Sequence, residues 1–283
     1  MANMDSTTYY QKVAGYFDRD APDFEERYWK NIVLQRIRQS FREEVKAHSF
    51  SNVLEIGCGT GLDVAHFGSI FPARKVYGID IAPEMVARAW RKIETMGLEN
   101  VTLEIGTPES LETLFPDVQF DHIYVFFGAL NTVPDLRRVA GILKSRMNPE
   151  GTMVLTFVNK WYLADMLIDL LKFRFKRAFK RIRKIWGGYA ETKPLESRCY
   201  SPREIASAFG NDFEITRRRG YSILYPAWYR LNLIFRLGRR ITDFLWKIDQ
   251  VLNRTPAWCL GEYALYCFKT KEAIVPGPSK DSC

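Results

Sequence analysis

The chain has 283 residues, 47% of them hydrophobic, which is enough for one large folded unit with a sizeable core. Its five cysteines (Cys58, Cys199, Cys259, Cys267 and Cys283) are an odd number and widely scattered, without a CxxC pair or a histidine-rich partner segment; this suggests neither a disulfide framework nor a zinc site and fits a reducing compartment. The formal net charge is +8, yet residues 160–186 alone carry nine basic side chains (Lys160, Lys172, Arg174, Lys176, Arg177, Lys180, Arg181, Arg183 and Lys184) against Asp165 and Asp169, a local net of +7 that leaves the rest near neutral.

The opening "MANMDSTTYYQK" lacks the basic-then-apolar pattern of a signal peptide, and the longest uncharged run, His122 to Pro134, is too short to span a bilayer. A cytoplasmic protein is expected, with peripheral membrane contact open to it. Residues 1–50 read as aromatic, charged helices. From residue 52 the texture changes to short apolar runs, "NVLEI", "KVYGID", "VTLEI", "DHIYVFF" and "TMVLTFV", alternating with segments of helical period. Such alternation predicts βα units and a mainly parallel sheet. "NPEG" at 148–151 predicts a turn before the fifth run.

A long basic helix is expected next. "YSPREIASAF" then starts a helix with Ser201 as N-cap and Pro202 in its first position. "FEITRRRG" is a sixth strand, helices fill 227–252, and "EYALYCF" supplies a seventh strand after that insertion. The expected fold is α/β: a Rossmann-like, seven-stranded, mainly parallel sheet with helices on both faces, N-terminal lid helices and a helical cap. Its parts are a lid over 1–50, a core over 51–158, a basic amphipathic insertion over 159–200, the remaining sheet with its cap over 201–272, and a disordered tail over 273–283.

The segment most telling of chemistry is "VLEIGCGTG" at 53–61, where a buried strand runs into three glycines spaced two apart. Placed between strand and helix, Gly57, Gly59 and Gly61 let the backbone turn sharply and leave room for a ligand against it, with the helix N-terminus supplying free N–H groups. A dinucleotide fingerprint would need glycine at 62, where this chain has Leu62. The second strand ends at Asp80, 19 residues past Gly61, where a carboxylate can accept hydrogen bonds from both hydroxyls of a ribose.

"VLEIGCGTG" followed by "VYGIDIAPEMVARA", "VTLEIGTPESL", "FDHIYVFFGALNTVPD" and "MNPEGTMVLTF" resembles the class I S-adenosyl-L-methionine (SAM) dependent methyltransferases over residues 52–158. The resemblance implies SAM as cofactor and S-adenosyl-L-homocysteine as product. It places the backbone of Gly57, Cys58 and Gly59 along the methionine part, with Gly61 completing the loop. Glu55 falls near the amino group, Asp80 at the ribose, and Ile81 and Met85 beside the adenine, with Phe127 after the fourth strand. Thr107 and Pro108 stand where many relatives carry an acidic residue and Ala, and Ala82 stands where a capping Ser or Thr is usual. The N-terminal "YYQKVAGYFDRDAPDFEERY" resembles the lid of the quinone, sterol and lipid methyltransferases, which makes Tyr9, Tyr10 and Tyr16 lid candidates.

Methyl transfer from a sulfonium is an in-line displacement that asks mainly for alignment and exclusion of water, so no catalytic residue is assigned. His48, His66 and His122 read as structural; Asn131 and Asn159 fall where such folds position acceptors. Base methylation is disfavoured: the segment after the fourth strand reads "FFGALN" rather than [DN]PP[YF], and no cysteine stands beside proline as a nucleophile. Residues 160–186 have an apolar stripe (Leu163, Met166, Leu167, Leu170, Leu171, Phe175, Ala178, Phe179, Ile182 and Trp186) opposite their cations. That pattern suits a helix packed on the protein's own core or an interfacial helix on anionic lipid, and less well RNA phosphates. The aromatic, arginine-rich segment 221–248 suggests a roof over a small hydrophobic substrate. The expected activity is methylation of a small lipophilic acceptor presented at a membrane, with a soluble natural-product O-, N- or C-methyltransferase or a non-catalytic scaffold as alternatives. Oligomeric state is left open.

Overall fold

The apolar runs between residues 52 and 158 pair side by side. In the structure, a computed structural model that describes residues 6–182, 186–187 and 195–271, they form β1 (Asn52–Ile56), β2 (Lys75–Asp80), β3 (Val101–Ile105), β4 (Phe120–Val125) and β5 (Met147–Val158). Two later strands, β6 (Phe213–Tyr221) and β7 (Tyr263–Thr270), complete one sheet in the order 3-2-1-4-5-7-6. Strands β1 to β5 are parallel, and β7 runs antiparallel to both neighbours. The order reverses between β1 and β4, which opens a crevice beyond the C-terminal ends of those strands.

The helices are α1 (Ser6–Trp29), α2 (Ile32–Lys46), α3 (Leu62–Ile70), α4 (Pro83–Thr95), α5 (Leu111–Leu114), α6 (Leu136–Ser145), α7 (Leu163–Leu171), α8 (Phe175–Ala178), α9 (Pro202–Phe209) and α10 (Leu231–Leu252), the last kinked at Gly238, where φ is 74°. Successive strand residues point to opposite faces, so Val53 and Tyr124 pack under α2 to α4 while Leu54 and Ile123 pack under α5, α6 and α9. Both faces are therefore covered, which explains why the strands read as continuous apolar runs rather than alternating ones. Ser201 caps α9 in a reciprocal capping box with Glu204, with Pro202 in the first turn, as expected.

Three expectations need correction. "NPEG" does not precede the fifth strand as a separate turn: it lies inside β5 as an irregularity, because Phe120 pairs with Met147 but His122 with Thr152. The fourth strand stops at Val125, and Phe127 takes a left-handed φ of 52° that turns the chain across the sheet end.

The third correction is the largest. Residues 160–186 do not form one long helix; α7 and α8 are separate, parted at Phe173 with φ 55°. Among the described side chains of the expected apolar stripe only Ala178 is buried, whereas Asp165, Asp169 and Arg181 are turned inward. The inward polarity has partners: Asp165 accepts from the Tyr229 hydroxyl (2.6 Å) and the Arg230 guanidinium (2.5 Å), and Arg181 pairs with Glu262 at 3.6 Å. Helical periodicity marks two faces but cannot tell which one the fold will neutralise with distant cations. The Trp186 side chain and the expected tail at 273–283 lie outside the described residues. Among the described residues no helix is long and apolar enough to cross a membrane.

Candidate active site

The loop after β1 is built on backbone that side chains disfavour. Gly57, Gly59 and Gly61 have φ of 77°, 53° and 78°. The N–H groups of Gly57 and Cys58 donate to the Ile79 carbonyl (2.8 and 3.0 Å), tying the loop to β2. A Cβ on Gly57 would meet that of Ala129 at 2.4 Å, whereas one on Gly59 meets nothing within 4 Å. Gly59 thus shows bare backbone to open space, the geometry of a ligand cradle. A Cβ on Gly61 would lie 2.8 Å from that of Ala89, so this glycine serves the packing of α3 on α4 and does not line the cavity. Gly57→Ala should lower unfolding free energy by about 2–4 kcal/mol, combining positive-φ strain with overpacking. Chemical denaturation checks this; an unchanged midpoint would contradict the tight loop.

Two buried carboxylates flank the cradle. Asp80 accepts the N–H groups of Gly59 (2.8 Å) and Ala82 (2.9 Å), and burial pushes its pKa up to about 6 against those bonds. α4 starts without a cap from its own N-cap residue, Ala82; the Asp18 carboxylate of α1 accepts the Glu84 N–H at 2.9 Å in its place. Glu55 accepts from the Tyr124 hydroxyl at 3.1 Å, and burial, reinforced by the Asp63 carboxylate, raises it well above the usual carboxylate range. Asp63, in the first turn of α3, pairs with Arg38 and with Arg42 Nε (2.7 Å). The Arg38 guanidinium sits 4.7 Å from the ring centres of both Tyr28 and Phe127.

A cavity of about 670 Å³ connects these groups. It brings together Glu55, Gly57, Cys58, Gly59, Asp80, Ile81, Met85, Thr107, Phe127 and Tyr16 from segments far apart in the chain. Burial and the neighbouring Asp80 raise the Cys58 thiol far above its normal pKa, so this residue offers its backbone, not a nucleophile. Thr107 precedes the short 3-10 turn Pro108–Ser110 and is tied to it through its backbone, its N–H donating to the Ser110 hydroxyl at 3.0 Å and its carbonyl accepting the Ser110 N–H at 3.0 Å.

Helix α1 closes one wall. Tyr10 and Tyr16 line the cavity, and the Tyr10 hydroxyl donates to the Glu109 carboxylate at 2.8 Å. Tyr9 is buried beside it and donates to the Glu196 carbonyl. None of the three histidines lines the cavity: His48 stacks on His122 at 4.9 Å, and the buried His122 bonds Thr152. Asn131 and Asn159 do not line it either. They are buried braces, Asn131 bonding Val158 and Arg198 and Asn159 bonding backbone carbonyls near β7.

The cavity also uses residues that the sequence did not single out: Tyr28, Asn31 and Arg38 from the first two helices, and Trp228, Tyr229, Leu231 and Tyr263 from the cap and β7. Arg38 and Arg42 one turn apart on α2, with Asp63 just after the glycines, were the available signal. A bare backbone cradle, one carboxylate for an ammonium and another for a vicinal diol fit SAM, with aromatic walls beyond.

Comparison with known proteins agrees with this geometry. A family model described as "Methyltransferase domain" matches residues 47–191, just over half of the chain. A phosphatidylethanolamine N-methyltransferase from Cereibacter sphaeroides is 34% identical over 123 residues, 42% of this chain and 58% of that protein. A demethylmenaquinone methyltransferase from Geobacillus kaustophilus is 27% identical over 150 residues, 51% of this chain and 59% of that protein. The chain thus spans under two thirds of these relatives. Among solved structures, the DhpI–SAH complex superposes with a TM-score of 0.58 at 15% identity over 95% of this chain and 100% of that one. The [4+2]-cyclase SpnF gives 0.56 at 18% identity over 85% and 82%, a likeness of fold alone. With the matched segment carrying the glycine loop, Asp80 and the five parallel strands, the chain belongs to the class I SAM-dependent methyltransferase family.

Proposed function

We propose that this protein methylates a small lipophilic acceptor drawn from a membrane surface, using SAM. The observation that carries the reading is one continuous cavity lined both by the Gly57–Gly59 cradle with Asp80 and by the large apolar and aromatic groups Phe127, Trp228, Leu231 and Tyr263. Bound SAM supplies a methyl group on a sulfonium, an electrophile that needs no metal or redox partner. Asp80 would hold the ribose hydroxyls, Glu55 the amino group, and the Gly57–Gly59 backbone the methionine portion. The aromatic wall orients the acceptor and tolerates the sulfonium charge. Tyr10, held down by its bond to Glu109, and Tyr16 beside it on α1 would keep water out. The names of the two relatives, a phospholipid and a quinone methyltransferase, support an acceptor of that class.

The test is transfer of radiolabelled methyl from SAM into lipid extracts, followed by organic extraction. Label should enter the organic phase and disappear with Asp80→Ala. Label recovered only in water-soluble products would overturn the lipophilic reading while leaving methyl transfer standing.

A further inference from the structure

Helices α7 and α10 are folded inside out with respect to charge. On α7, Asp165 and Asp169 are 6% and 4% exposed; on α10, Thr242 and Asp249 are buried, and Asp249 accepts the backbone N–H groups of Ile223, Leu224 and Tyr225. On α10 Ile234 is buried and Leu245 and Trp246 pack on the core, but many other large apolar groups of these segments face solvent. Leu171 is 80% exposed, Phe173 82%, Phe235 68% and Phe244 62%, with Leu163, Leu167, Phe175, Leu233, Ile241 and Val251 exposed as well. Such groups normally fill a core, and here buried acids occupy several of the inward positions.

The charges on the same surface have one sign. Lys172, Arg174, Lys176, Arg236, Arg240 and Lys247 are exposed. Every acidic side chain of the two helices is buried, except Asp243, which Arg36 holds at 2.6 Å. Apolar groups interleaved with outward cations, their acids hidden, match an anionic bilayer: acyl chains take the rings and headgroup phosphates take the cations. A second copy of the chain would bring like charges face to face, and nucleic acid would leave the phenylalanines unused.

The surface borders the acceptor cavity. Helix α10 begins at Leu231, which lines the cavity, and Leu233 and Phe235 follow within two turns. Helix α7 is bonded to the same rim through Asp165, Tyr229 and Arg230. Exposed Trp29 and Ile32 stand across it, where the Asn31 side-chain amide donates to the Trp228 carbonyl at 3.0 Å.

We propose that the α7, α8 and α10 face docks on an anionic membrane, so that a lipid-soluble acceptor passes from the bilayer into the cavity past residues 228–235. The acceptor route rests on the lipophilic reading given above; the docking does not.

The experiment is co-sedimentation of the full chain with phosphatidylcholine vesicles containing none or about 30 mol% phosphatidylserine, at low salt and near 1 M salt, where the Debye length falls from about 10 to 3 Å. Binding should appear only with phosphatidylserine and weaken at least tenfold in high salt. Lys172→Glu, Lys176→Glu, Arg236→Glu and Arg240→Glu together, and separately Leu171→Ser with Phe235→Ser and Phe244→Ser, should each reduce it at least tenfold. SAM binding by calorimetry should be unchanged in both variants, which shows that they fold. A parent chain that ignores anionic vesicles overturns the proposal, as does binding that neither variant weakens. A dimer in sedimentation equilibrium that the serine variant dissociates would assign the face to a second copy and also overturn it. Methyl transfer into detergent-dispersed lipid without vesicle binding refutes docking alone; vesicle binding without methyl transfer refutes the acceptor reading alone.

Discussion

Asp80→Ala should weaken SAM binding about 100-fold while the protein stays folded, because two charge-assisted hydrogen bonds of about 1.5 kcal/mol each are lost from a buried site. The carboxylate does two jobs at once: it fixes the cradle by accepting the Gly59 and Ala82 N–H groups, and its remaining lone pairs face the cavity. Titration gives a second signature. With its pKa raised from 3.8 to about 6 by burial, Asp80 is largely protonated at pH 5, when it accepts fewer hydrogen bonds. SAM affinity should therefore fall as the pH drops through 6, by about tenfold per unit below it if only the ionised form binds. Stability of the ligand-free protein should have the opposite sign: a folded pKa above the unfolded one means that this group's contribution to stability is present below about 4 and lost as the pH rises through 6. Calorimetry across pH 5 to 8 on the parent and Asp80→Asn separates the two. A variant as pH-dependent as the parent would remove Asp80 from the cofactor site.

Legibility in the sequence followed the range of the interaction. The strands, the glycine turn and Asp80 were readable because their causes are local: apolar runs pair, glycines permit positive φ, and a carboxylate stands at a strand end. The cavity wall is legible only as a segment: residues 221–248 are expected to roof a pocket, and Trp228, Tyr229 and Leu231 do line it. Their meeting with Tyr28 and Arg38 needs the cap to fold over the first two helices, and nothing within a short window encodes that contact. Asn131 and Asn159 sit where acceptor-positioning groups are expected, yet each is consumed by backbone partners, Asn131 by Val158 and Arg198, Asn159 by Cys259 and Gly261. The basic segment shows the same limit. Its two faces are legible, but neither the break at Phe173 nor which face packs inward is, since the inward face depends on Arg230 and Glu262, some 60 to 80 residues away along the chain.

Replacing Arg181 with Met should cost about 3–5 kcal/mol of stability near pH 8, the range for removing one partner of a buried ion pair. Although it belongs to the basic run, Arg181 is only 4% exposed. Its guanidinium lies 3.6 Å from the Glu262 carboxylate, contacts the Asn159 carbonyl at 3.4 Å and stacks 5.0 Å over the Tyr162 ring. It therefore pins residues 160–182 to the junction of β5 and β7. Burial, opposed by Arg181, already raises Glu262 from 4.5 to about 7. A carboxyl whose folded pKa exceeds its unfolded one contributes stability that is complete below about 4.5 and lost as the pH rises through 7. Without Arg181 the folded pKa climbs further and the loss continues to higher pH. The difference between variant and parent should accordingly grow between pH 5 and pH 8 by about 1.4 kcal/mol, the worth of one pH unit above 7, with the remainder of the cost independent of pH. Adding Glu262→Gln to the variant removes the stranded charge and should restore much of the lost stability, mostly at the alkaline end. Denaturation midpoints for the parent, the single variant and the double variant at both pH values check this. A destabilisation independent of pH, or one that Glu262→Gln fails to relieve, would mean that Arg181 acts through packing on Tyr162 and not through the ion pair.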